Sequence, residues 1–142
     1  MVMKFLLLWV FLFSLSSCDP GFIVELHNNS KEDQQIKIVG CDSSYLIHMD
    51  SLWILDESNP GSIKYGWQAI TSKNISENSY TFLLQSGKTA ILRKGIGRPK
   101  ADLSDILNKI IVNYNDTIIV RKDKRVKIDR KPMSTEAIIS LE

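Results

Sequence analysis

A succession of short β-prone runs, each closed by a turn signal, constrains this chain more than any other feature. Phe22–Leu26 ends at His27-Asn28-Asn29-Ser30, and residues 31–35 are polar and charged. Asn and Ser punctuate strands because their side chains bond nearby backbone. Gln35-Ile36-Lys37-Ile38-Val39 alternates with period two, the mark of a half-buried strand. Gly40-Cys41-Asp42-Ser43-Ser44 is the next turn, and Tyr45–His48 reads as a short strand. Ser51–Leu55 is another, closed by Asp56-Glu57-Ser58-Asn59-Pro60-Gly61. Ile63–Ile70 reads as a strand interrupted at Gly66, followed by a polar loop over 71–78. Tyr80–Leu84 and Thr89–Leu92 flank Gln85-Ser86-Gly87-Lys88 as a hairpin. Thr117–Val120 and Arg125–Ile128 bracket Arg121-Lys122-Asp123-Lys124 as a second hairpin, with Val126 and Ile128 facing in.

The period changes once. After Lys94-Gly95-Ile96-Gly97-Arg98-Pro99, Asp102 is a good N-cap, and Leu103, Ile106, Leu107, Ile110 and Ile111 follow at the spacing of one helical face. This pattern predicts an amphipathic helix over about 102–112. The fold class is therefore mainly β: an antiparallel β-sandwich-like domain of short strands with one helix. Residues 22–130 form that domain, and 131–142 are a C-terminal tail, loose or ending in a short packed segment. No internal repeat or low-complexity stretch is present.

The first eighteen residues carry a different message. Lys4 precedes the apolar run Phe5–Phe13, which with Ser14 and Leu15 makes an eleven-residue hydrophobic region, and Ser16-Ser17-Cys18 close it with small residues and a cysteine. As a helix this region rises about 16 Å, roughly half of a ~30 Å hydrocarbon core, so it addresses a membrane without spanning it. Leu15-Ser16-Ser17-Cys18 resembles the lipobox of a bacterial lipoprotein signal. That resemblance implies cleavage after Ser17, making 1–17 a signal peptide, and lipid on Cys18. Residues 18–21 are then a lipidated tether, with Asp19-Pro20-Gly21 too short for a flexible stalk. The membrane is thus one partner, and the address is the periplasmic or surface face of a bacterial envelope. Three N-x-S/T tripeptides, at Asn28, Asn74 and Asn115, are what a eukaryotic secreted chain would offer instead. The body beyond the tether resembles small uncharacterised lipoproteins of Bacteroidota-type envelopes. That likeness rests on Asn28-Asn29-Ser30 after the first strand and on the late Asp116–Val120 strand.

Without residues 1–17 the chain keeps 125 residues, enough for one domain with its own core. Its net charge of +1 conceals an asymmetry. Residues 19–92 hold five basic and nine acidic side chains, whereas 93–131 hold twelve basic and five acidic. The basic half suits anionic headgroups, polysaccharide or an acidic partner, or simply keeps an exposed edge from aggregating. Cys41 is the only cysteine besides Cys18, so an acylated Cys18 leaves it without an intramolecular partner.

Candidate chemistry is thin. A thiol nucleophile would need Cys41 beside His27 or His48, and neither histidine lies in a local catalytic signature. The same three residues lack the close ligand pair of a zinc site. Asp56 and Glu57 are adjacent on a turn, where consecutive side chains diverge and do not bracket a bond. Gly95-Ile96-Gly97 lacks the rest of a nucleotide fingerprint. No catalytic or metal residue is assigned, no cofactor is implied, and nucleic acid is not an expected partner. Tyr45, Trp53, Tyr65, Trp67, Tyr80 and Phe82 are candidates for a recognition face, since amphipathic rings suit glycans and peptides, or for a core. The residues selected as a binding surface are Trp53, Trp67, Lys124 and Arg125. The expected function is a membrane-anchored, non-enzymatic domain that binds an envelope protein or glycan. The alternatives are a thiol- or carboxylate-dependent cell-wall or glycan hydrolase, and an immunity or inhibitor lipoprotein acting through the basic 118–128 segment.

Overall fold

The computed structural model describes residues 21–56, 64–96, 107–131 and 134–142. Cys18, the turn after Asp56 and the Gly97-Arg98-Pro99 segment lie outside them. The strands are β1 (Gly21–Asn28), β2 (Gln34–Val39), β3 (Ser51–Asp56), β4 (Lys64–Ala69), β5 (Ser72–Asn74) and β6 (Ser79–Leu84). They continue as β7 (Lys88–Ile96), β8 (Lys109–Val112), β9 (Asp116–Ile119), β10 (Val126–Lys131) and β11 (Ser134–Leu141), and among the described residues there is one short helix, α1 (Ser43–His48). Two sheets result. One has the order β10-β11-β1-β7-β3-β4, the other β5-β6-β2-β8-β9. The chain is a mainly β, sandwich-like domain in which all described pairings are antiparallel except β1 with β11.

The alternation legible in β2 sets the core. Ile36 and Ile38 point inward, and Tyr80, Phe82 and Leu84 of β6 lie on the same inner face. Val24 and Leu26 of β1, with Ile139 and Leu141 of β11, face them from the other sheet. Asn28 extends this inward row and is 1% exposed. Its amide donates to the carbonyls of Glu32 (2.9 Å) and Leu84 (3.0 Å), and its Oδ1 accepts from Ser30 Oγ at 2.6 Å. A polar group thus enters the interior with its hydrogen bonds made, which is the condition for burying it cheaply. It ties the end of β1 to a strand of the opposite sheet.

Several elements differ from expectation. Tyr45–His48 is helical, not extended: Asp42 accepts from the backbone N–H of Ser44 as N-cap, and Leu46 enters the core. The turn into α1 needs Gly40, whose φ is +86° and whose missing side chain leaves room for Asn108. The helix predicted over 102–112 fails where it is described. Residues 109–112 form β8, pairing β2 and β9, with Ile110 and Val112 inward. The helical spacing counted Ile110 and Ile111 as one face, but a two-residue period carries Ile110 and Val112 into the core. Residues 102–106 lie outside the described residues.

Both expected hairpins are instead sheet-to-sheet crossings. β6 belongs to one sheet and β7 to the other, and so do β9 and β10. The polar loop expected over 71–78 contains β5, and β4 runs through Gly66 without interruption. Val126 packs against the core, whereas Ile128, on an edge strand, is 39% exposed. The C-terminal segment is no loose tail: β11 lies between β1 and β10 and pairs β1 in parallel from Gly21↔Ser134 to Asn28↔Leu141. Ile139 is fully buried there. Ile139→Ala should therefore lower unfolding free energy by about 3 kcal/mol in a denaturant titration. A loss below about 0.5 kcal/mol, the scale of surface substitutions, would mean that β11 is not a core strand.

Candidate functional site

The outer face of the larger sheet carries an aromatic cluster built by two strands. Alternation along β3 sends Leu52 and Ile54 to the core side and Trp53 and Leu55 to the other. Across β4, Trp53 stands opposite Trp67 and Leu55 opposite Tyr65, so all four share the outer face. The Trp53 and Trp67 rings lie 4.4 Å apart between centroids, tilted by 50°, and Tyr65 meets Trp53 edge-on at 6.0 Å. Leu55 and Ile91 are nearly buried on this face, which a bare outer face would leave wet. Trp67 and Tyr65 themselves stay 63% and 62% exposed.

A bulge aims two cations at this region. β7 follows β1 in register until Val24↔Arg93 and then Glu25↔Ile91, so Leu92 is the extra residue. Arg93 consequently shares the inward side with Val24, at the end of the sandwich, where its guanidinium lies 4.1 Å from the Tyr45 ring centroid. Lys94 shares the outer side with Ile23, and its Nζ lies 4.4 Å from the Trp53 ring. Both contacts satisfy cation–π geometry. Between α1 and the tryptophan pair runs a shallow, solvent-open groove of about 500 Å³ lined by Tyr45, His48, Asp50, Ser51, Trp53 and Trp67, among others. Asp50 is 89% exposed and receives a hydrogen bond from Lys73 Nζ at 2.8 Å, which holds its carboxyl below the usual range.

The other sequence candidates fall elsewhere. Tyr80 and Phe82 are core residues with stacked rings. Cys41 is 8% exposed at the sandwich end and borders, with Tyr80 and Arg93, a cavity of only about 10 Å³, the space of one water. Burial pushes its thiol up to about 12 despite the opposing charge of Arg93. The thiol is therefore neutral at pH 7, the inert form. His27 is on the outer face of β1, 2.9 Å from Glu25, and His48 is exposed on α1. Among the described residues no group of three or more His, Cys, Asp and Glu is arranged to hold a metal ion. In Cys18→Ser protein, where Cys41 is the only thiol, alkylation by iodoacetamide at pH 8 should be at least a hundredfold slower folded than unfolded. Comparable rates would place Cys41 at the surface.

Lys124 is exposed, but Arg125 is already engaged. Its guanidinium bridges Asp116 and Asp123, donating to Asp123 Oδ2 at 2.7 Å, and so fastens the crossing from β9 to β10. Arg125 holds both carboxyls below their ordinary value, chiefly by these hydrogen bonds. Depressed carboxylates stabilise the fold above the unfolded-state pKa and lose that contribution as pH falls through the folded-state pKa. Arg125→Met should cost about 1 kcal/mol at pH 7, the pair being partly solvated. The difference from the parent chain, followed by denaturation across pH, should begin to narrow near about pH 4 and close as pH falls through the depressed folded-state values. A pH-independent difference would contradict the clasp.

Sequence reasoning selected Trp53 and Trp67 and missed Asp50 and Lys94 as their neighbours, and Arg93 as the partner of Tyr45. The spacing Trp53-Leu55 and Tyr65-Trp67 signals one face on each strand. Nothing local signals the bulge or the β3–β4 register. No protein-family model, curated protein or solved structure matches the chain.

Proposed function

We propose that this protein is a non-enzymatic binding domain, tethered to a bacterial envelope membrane through lipid on Cys18, with the aromatic groove beside α1 as its recognition surface. The single observation that carries the reading is an exposed Trp67 packed on a half-buried Trp53. Trp53 is fixed by Trp67, Tyr65 and Lys94, so Trp67 is presented to solvent on an ordered support. Exposed and already immobilised aromatic rings lose little conformational entropy on binding, which is why they anchor interfaces. The tether reading draws on Leu15-Ser16-Ser17-Cys18. With lipid on Cys18, β1 would begin three residues later, a reach of about 10 Å, and the domain would sit close to the bilayer.

The competing readings have less behind them. A thiol hydrolase would use Cys41, which is buried, protonated and beside a cavity too small for a substrate. An inhibitor acting through the basic crossing would use Arg125, whose guanidinium is spent on Asp116 and Asp123. The test is affinity capture of the tagged full chain from its native envelope after mild crosslinking, beside Trp67→Ala and Cys18→Ser versions. One partner should be recovered with the parent and lost with Trp67→Ala, while Cys18→Ser should abolish labelling by radioactive palmitate. Equal recovery with Trp67→Ala would refute the groove as recognition surface, and unchanged labelling would refute the tether.

A further inference from the structure

We infer that the groove between α1 and the Trp53–Trp67 pair is a subsite for a neutral saccharide, one sugar ring stacking on Trp67 while its hydroxyls bond to Asp50, His48 and Ser51. This rests on the binding reading above and names the ligand class. A pyranose has one apolar face of C–H groups and a rim of hydroxyls. The groove offers the same division: aromatic rings along the sheet, and a carboxylate, an imidazole and a hydroxyl along the α1–β3 connection.

Charge makes the choice among ligand classes. Each ion at the groove already has a partner on the protein. Lys94 sits on Trp53, Arg93 on Tyr45, and Lys73 neutralises Asp50 without covering it. An anionic ligand, such as a phosphate headgroup or an acidic peptide, would have to pull Lys94 or Arg93 off its ring. A wholly apolar ligand would strip water from Asp50 and His48 and return no hydrogen bond, which opposes its binding. A neutral polyhydroxylated ring does neither. Its hydroxyls donate to Asp50, whose depressed carboxyl is an acceptor at all pH values above the usual carboxylate range.

The proposal is tested by isothermal calorimetry on the full chain in detergent, with neutral hexasaccharides of glucose, mannose and N-acetylglucosamine as titrants. At least one should bind saturably. Trp67→Ala should weaken that binding about tenfold or more, the scale of one lost aromatic contact. Trp67→Phe, which keeps a ring on the same outer face, should stay within a few-fold of the parent. Asp50→Leu should also weaken it, whereas Asp50→Asn, which retains an acceptor, should do so less. Thermal unfolding of each variant serves as the folding control, and both positions are exposed enough for substitution. No saturable heat with any of the three, or affinity unaffected by Trp67→Ala, overturns the proposal. A photo-crosslinker at residue 67 that captures a protein while all three saccharides fail would reject the saccharide and retain the binding reading. Failure of both would remove both.

Discussion

One surplus residue, Leu92, governs both the interior and the exterior of one end of this domain. Regular alternation along β7 would have placed Arg93 outside and Lys94 inside. By leaving Leu92 unpaired between Ile91 and Arg93, the bulge lets the consecutive Leu92 and Arg93 share the inner side and so reverses Arg93 and Lys94. Arg93 then faces the ring of Tyr45 at the open end of the sandwich, and Lys94 braces Trp53 from the outer side. The aromatic surface is therefore a product of strand register. The β3–β4 pairing brings its rings together, and the cations that brace Trp53 and Tyr45 are in place because β1 and β7 slip by one residue.

The parts of this fold that were legible in the sequence are those set within a strand. Ile36 and Ile38 announce β2, and Tyr65 and Trp67 announce one face of β4, because a two-residue period needs no knowledge of a partner. Pairing was not legible. Gln85-Ser86-Gly87 has hairpin chemistry, yet it carries the chain from one sheet to the other, since the inner rows of β6 and β7 must face each other across the core. The stretch around Ile110 failed for a related reason. Five apolar residues satisfied a helical template, but β2 offered an unpaired edge, and backbone pairing with it outweighed local periodicity. Asp42 illustrates the reverse case. A capping aspartate followed by Ser43-Ser44 is a helix start that a short apolar run disguised as a strand.

The charge asymmetry also changes meaning in three dimensions. The basic stretch 93–131 reads as one surface in sequence, but the fold disperses it over four described strands, in both sheets. Arg93 and Lys94 become ring partners, Arg125 a clasp, and Lys131 a partner of Glu136 at 3.0 Å. Several of its cations thus serve local structure, so summed charge is a poor guide to the field any one face presents.

The parallel union of β1 with β11 has a mechanical corollary. β1 is clamped on its other side by β7, so the strand that leads out towards Cys18 is gripped along both edges for most of its length. Traction on residue 21 along the strand axis would slide β1 past two neighbours at once. Their hydrogen bonds lie across that pull and share the load, instead of opening one after another as at a peeling edge. A force applied at the start of β1 would thus meet the domain in shear along two ladders at once.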